Sequence, residues 1–305
     1  MKGDYAPLAP KNGKGTIQGG VRLLICDRSN TKKGMTISRA SFELIESTFE
    51  LSPATIPSFF HHSGVFSKSI TKGTKENPNA RLSIVIKAHQ KVQVANYLLS
   101  LSHDIKSGWT YAFLCGDGAI KNRKTVPKDP YGLQLDQIVN LIKSTVRFWN
   151  DPMLLPAILL KNYCQRTEKY IELLQDTLAL SEEELGVTTA GGVRSNPTLR
   201  PEDVKVKQIT FDLHRTMAEA IFMGAVCEWA RQYGKFILEV DDRLYPNDTP
   251  ESKQAKSTEL RDSILHVTST LEGVYLRCNT FKERAQTQIN VVSISPDPKE
   301  KDTEI

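Results

Sequence analysis

From Leu260 to Val292 the apolar residues return in steps of four, three, four and three without a slip. The positions are Leu260, Ile264, Val267, Leu271, Val274, Cys278, Phe281, Ala285, Gln288 and Val292, with Gln288 the one polar member. A 3.5-residue period held this long keeps one seam of a helix against a partner, and no strand reproduces it. The spacing predicts a rod from about Pro250 to Val292, roughly 60 Å long at 1.5 Å per residue. Such a rod is either one member of a long-helix bundle or a coiled-coil stalk.

Weaker versions of the same rhythm precede it. Leu135, Ile138, Leu141, Ile142 and Val146 form one helical face, which Asn150-Asp151-Pro152 breaks. Leu160, Cys164, Thr167, Ile171, Leu174 and Leu178 form another, fraying at "SEEELGVTTAGGVRSNP", the clearest linker in the chain. A third helix is expected from about Pro201, with Val206, Leu213, Met217, Ala220, Gly224, Cys227 and Gly234 on its seam. Small residues there let a neighbouring backbone approach, although each helical glycine costs about 1 kcal/mol against alanine.

The first 120 residues read differently. "GVRLLICD" (20–27), "RLSIVIKA" (81–88) and "WTYAFLCG" (109–116) are short β-branched or aromatic runs bounded by turn residues, and they read as strands. Ser38 or Ser41 caps a helix carrying Phe42, Ile45 and Phe49, and "VQVANYLLSLSHDI" (92–105) is expected to be helical. The fold expected is an α/β (or α+β) N-terminal domain followed by a long-helix bundle or stalk, with no transmembrane helix. Its parts are a flexible basic leader (1–19), the α/β domain (20–128), a helical segment (129–186), a linker (187–200), long antiparallel helices (201–293) and a disordered tail (294–305).

Charge narrows the choice of partners. The net charge of +5 lies in the first forty residues, where Lys2, Lys11, Lys14, Arg22, Arg28, Lys32, Lys33 and Arg39 face two acids, and the rest of the chain is nearly neutral. No nucleic-acid partner is expected for so neutral a body, and the basic N-terminus reads as a solvated end before it reads as a contact with an anionic lipid face or nucleic acid, peripheral membrane contact being the partner expected there. The densest apolar run, "MLLPAILL" (153–160), is far short of the roughly 20 residues that span a bilayer. Five scattered cysteines without a CxxC pair suit a reducing cytosol.

Catalytic signatures are sparse. "NGKGT" (12–16) lacks the upstream glycine of a phosphate loop, and "CGDG" (115–118) reads as a turn before it reads as a nucleophilic elbow built on Cys115. His61 and His62 are adjacent and point apart, so local packing with Phe59, Phe60 and Phe66 is the better reading. "EVDD" supplies the best acidic cluster, and Glu239, Asp241 and Asp242 are the candidate ligands for a hard cation such as Mg²⁺. The chain is expected not to be an enzyme, and no covalently bound cofactor is expected.

The strings "FKERAQTQINVV" (281–292), "FFHHSG" (59–64), "WTYAFLCGDG" (109–118) and "LPAILLKNYCQRTEKYIELLQD" (155–176) resemble the cytoplasmic region of fungal CorA-like magnesium transporter proteins. The resemblance implies an α/β cytoplasmic domain and long helices, the last of which enters the membrane as the first pore helix of a homo-oligomeric cation channel. The family marks that pore with Gly-Met-Asn followed by a second span. Here Gly34-Met35 is followed by Thr36, and Val292 is followed by "SISPDPKEKDTEI", which cannot enter hydrocarbon. The expectation is thus a cytoplasmic, pore-less portion or a truncated relative of such a transporter that acts in assembly or Mg²⁺ sensing rather than conduction by itself, with itself or full-length transporter subunits as partner. The packing or oligomer seam comprises Leu260, Ile264, Val267, Leu271, Val274, Phe281, Ala220 and Gly224. The alternative is a cytosolic helical interaction module docking a partner helix on Ala220, Gly224 and Gly234.

Overall fold

The computed structural model describes residues 19–29, 34–71, 80–91, 93–117, 135–185, 206–244 and 257–294. The basic leader, Lys32 and Lys33, "NGKGT", the 187–200 linker, Pro201, Pro250 and the tail beyond Ile294 lie outside these residues. The chain divides into two compact units, one of residues 1–90 and 96–158, the other of 91–95 and 159–305.

The first unit is built on a six-stranded sheet of β1 (Gly20–Ser29), β2 (Gly34–Met35), β3 (Val65–Thr71), β4 (Arg81–Lys87), β5 (Tyr97–Asp104) and β6 (Trp109–Gly116). Their order is β2-β1-β6-β5-β4-β3. Strands β3 to β6 form an antiparallel meander, and β1 adds to its β6 edge in parallel, so the sheet is mixed. The register of that parallel pair is set at a turn. Gly108, at φ +70°, closes the β5–β6 hairpin while Asp104 Oδ1 accepts from the Lys106 and Ser107 amides at 3.0 and 2.8 Å. Gly108 O then accepts from Gly20 N at 3.1 Å, placing Gly20 opposite Trp109.

The helix expected over 92–105 is corrected, because Tyr97–Asp104 within it is strand β5. All eight of its residues are buried. Both faces of a central strand are covered, so Leu98, Leu99 and Leu101 supply no polar alternation from which a strand could be read. Its serines are paired instead, Ser100 Oγ with Thr55 Oγ1 at 2.8 Å and Ser102 Oγ with Arg81 Nη1 at 3.2 Å. Helix α1 (Arg39–Phe49) begins as expected, and Ser38 is its cap, accepting from Ser41 N at 3.1 Å. With α2 (Thr55–Phe59) it covers one sheet face, where Phe42 meets Phe113 edge-on at 5.5 Å among Cys26, Leu51, Phe59, Val85, Leu98 and Cys115. Helix α3 (Leu135–Ser144) buries Ile138, and a 3₁₀ turn (Val146–Phe148) follows.

The helical unit is formed by α4 (Leu154–Glu184) from residue 159 onward, α5 (Val206–Leu244) and α6 (Ser257–Ile294). Asp151 stops the preceding turn and starts α4, its Oδ1 accepting from Met153 N at 2.8 Å. Helices α5 and α6 are antiparallel, since Arg231 meets Glu272 while Asp241 meets Arg261. Helix α4 is parallel to α6, through Gln175 with Arg277 and Glu182 with Arg284, and antiparallel to α5, where Tyr163 packs on Trp229 at 5.0 Å. The result is an up-down-up three-helix bundle.

Helix α6 is one uninterrupted element of 38 residues, about 57 Å long. Every seam position from Leu260 to Val292, Gln288 included, is buried. At about 1.5–3 kcal/mol for each fully buried large apolar side chain, this seam accounts for much of the unit's cohesion. No described helix is long and apolar enough to cross a membrane.

Candidate functional site

The three acidic residues picked from the sequence do not converge as a set. Asp241 and Asp242 both accept from Arg261, at 3.1 and 2.9 Å, across the α5–α6 interface, while Glu239 takes Arg243 one turn along α5 at 2.8 Å. The Arg261 guanidinium is pushed up by Asp242 and Asp241 against the opposing effect of burial. Asp241 and Asp242 thus share one arginine as counter-ion, while Glu239 is engaged by another. Among the described residues no group of three or more His, Cys, Asp or Glu could hold a metal ion. As placed here, the trio is occupied by Arg261 and Arg243 rather than grouped around one point.

The small-residue seam separates into two kinds of position. Gly234 is a true close approach, for a Cβ there would lie 2.2 Å from Thr268 Oγ1 and 3.5 Å from Leu160 Cδ2. Gly224 is not, since a Cβ there would meet only Tyr275 Cε2 at 3.9 Å. Beside Gly224 runs a shallow groove of about 220 Å³ lined by Ala220, Ile221, Ala225, Tyr275, Asn279 and Lys282.

Cys115 is buried against Cys26, its neighbour in the β1–β6 register, and the hydrogen bond between the thiols together with burial pushes it well above the usual thiol range. Such a thiol is chemically quiet. In the bundle, burial and Glu168 push Cys164 up to about 12, and Cys227 lies against Cys278 across α5 and α6. His61 and His62 are exposed, and His62 Nδ1 pairs with Gln90 Oε1 at 3.0 Å.

Two arrangements emerge that sequence reasoning missed. The first lies at the carboxyl ends of β1, β4 and β6. Lys87, 1% exposed, donates from Nζ to Ala88 O at 2.9 Å and Asn96 Oδ1 at 2.8 Å, and Asn96 Nδ2 donates to Asp117 Oδ2 at 2.8 Å. Burial, with Arg28 as a second cation, pushes Lys87 down to about 8 against the pull of Asp117. A buried amine joined by an amide to a carboxylate forms a polarised chain, and groups shifted this way mark candidate sites in a sheet whose parallel strands end there. The signal in the sequence was a lysine inside the apolar run "SIVIKA". The second arrangement surrounds Lys91 in the helical unit, where the partner carboxylate, Glu219, stands 128 positions away. Nothing local announces it.

Comparison with protein-family models, with characterised proteins and with solved structures finds no match to this chain.

Proposed function

We propose that the chain is the sheet-and-helix portion of a CorA-like divalent cation transporter, standing on the cytoplasmic side of a membrane and serving assembly or cation sensing rather than conducting ions by itself. The observation that carries the reading is α6, a single 38-residue helix that follows an α/β sheet and two other long helices. This is the element order that the four resembling segments imply. Because the heptad seam is buried inside the bundle, subunit contacts would use the outer face of α6, where Leu265, Leu276 and Val291 remain exposed. Among the described residues no three acids, histidines or cysteines of one chain group together, so the cation sensing proposed here draws on acids from two subunits. Light scattering of the full chain over a range of concentrations, with and without Mg²⁺, should show association that Leu276→Lys weakens. A particle that stays monomeric in every condition overturns the proposal.

The groove beside Gly224 favours a second reading, a cytosolic interaction module that seats a partner helix. Gly224→Leu would fill the groove without a backbone clash, keep the thermal transition, and abolish crosslinking of a partner helix at Lys282. Retained crosslinking excludes it.

A further inference from the structure

Residues 91–95 sit in sequence between β4 and β5 yet belong to the helical unit. Lys91, Val94 and Ala95 are tied in a tight turn, in which Ala95 N and Val94 N donate to Lys91 O at 2.8 and 3.0 Å and Lys91 N donates to Ala95 O at 3.3 Å. The Lys91 side chain leaves this turn for a recess made by α4 and α5. There its ammonium forms a short ion pair with Glu219 Oε2, 5.2 Å from the centroid of the Tyr170 ring and 4.8 Å from that of Phe222. Tyr170 Oη donates to the same Glu219 oxygen at 3.0 Å. The tyrosine thus fixes the carboxylate and lends its ring at once.

Two aromatic faces and one carboxylate around a desolvated cation are what recognises an ammonium group in general. Glu219 and Phe222 stand at i and i+3 on α5, and Tyr170 stands on α4, so the three groups are carried by regular helices rather than by the segment that carries Lys91. Lys91, by contrast, lies outside the named helices and strands. Nothing in the recess demands that the ammonium belong to this lysine. Glu219 is about a quarter exposed and Phe222 is exposed, which leaves the recess open to solvent on one side.

We propose that Tyr170, Phe222 and Glu219 form an alkylammonium-binding site that the folded chain fills with its own Lys91. The lysine acts as a built-in ligand holding the 91–95 segment to the helices, and an alkylammonium takes its place when the side chain is removed. This inference is independent of the transporter reading.

The test uses the full chain with Lys91→Ala, titrated with n-butylammonium or tetramethylammonium chloride at constant ionic strength set with NaCl, and with n-butanol as the neutral control. The thermal midpoint of Lys91→Ala should rise saturably with either cation, while the unsubstituted chain and the double variant Lys91→Ala/Glu219→Gln follow only the salt baseline. An equal response to butanol, or no saturable response, overturns the proposal. Should Lys91→Ala fail to fold, acylation of the unsubstituted chain decides the matter. Lys91 should react more slowly than the exposed Lys161 and Lys235, and Glu219→Gln should remove that protection. Equal rates for all three lysines before substitution refute the cage.

Discussion

Lys87 offers the sharpest test of the sheet unit's energetics. In the unfolded chain this amine titrates near its ordinary 10.5, whereas in the fold burial and Arg28 bring it down to about 8. Between those values the unfolded state binds the proton and the folded state does not. Stability conferred by Lys87 is therefore fully present above pH 10.5, declines as pH falls, and is lost by pH 8. At 1.36 kcal/mol per pH unit the window is worth about 3 kcal/mol. Lys87→Met removes this linkage and also strips Ala88 O and Asn96 Oδ1 of a donor, which costs about 1–3 kcal/mol at any pH. At pH 7 the two effects offset and the variant should lie close to the parent. At pH 11 only the lost hydrogen bonds and packing remain, and the variant should be the less stable by about 1–3 kcal/mol. His89, lowered by burial and by Lys87, should move upward in the variant and add a smaller change near neutrality. Urea unfolding of both proteins by circular dichroism, at closely spaced pH values from 7 to 11, measures the difference directly. Curves that stay parallel across that range refute the reasoning, because they mean that the buried amine titrates as it does in water.

His103, buried on β5 with Nδ1 paired to Thr110 Oγ1 at 2.9 Å, is pushed down to about 4 by burial. Acid should accordingly remove about 3 kcal/mol between pH 6.5 and pH 4 as the unfolded state protonates first, and urea midpoints of His103→Gln should lack that loss. The three glycines inside α5 and α6 should part company in thermal melts. Gly224→Ala and Gly273→Ala meet ordinary contact or open space and should each stabilise by about 1 kcal/mol. Gly234→Ala, driven against Thr268 Oγ1, should destabilise by about 1–3 kcal/mol, and Gly234→Ala/Thr268→Ala should recover most of it. Arg284 grips the buried Glu182 with two hydrogen bonds, at 3.0 and 2.5 Å. Arg284→Met should cost about 3–5 kcal/mol by leaving that carboxylate buried without its cation, and Glu182→Gln/Arg284→Met should cost far less in denaturant unfolding.

The helical half was legible from the sequence because its information is local and periodic. A helix that buries one face must repeat its apolar residues every 3.5 to 3.6 positions, and the seam from Leu260 to Val292 and the face from Leu160 to Leu178 are buried as their spacing predicts. Three strands and the Ser38 cap were legible for similar reasons. Strand β5 was not, because a strand covered on both faces has no alternation, and only its neighbours β4 and β6 hold Leu98 to Leu101 extended. Spacing also could not tell Gly234 from Gly224, since both lie on one seam and only the position of Thr268 on α6 makes one of them a close contact.

The candidate sites divide in the same way. Composition identified "EVDD" as an acidic cluster, but Arg261 and Arg243 decide what those carboxylates face, and Arg261 lies on another helix. The lysine within "SIVIKA" hinted at the Lys87 chain but not at its partners Asn96 and Asp117, and the Lys91 cage joins residues 128 positions apart, which no local pattern encodes. What the sequence alone determined is which faces must be hidden from water, because hydrophobic burial depends on periodicity. Which charge meets which was decided only by the tertiary structure, because an ion pair or a cation over a ring requires two side chains to arrive within a few ångströms from separate elements.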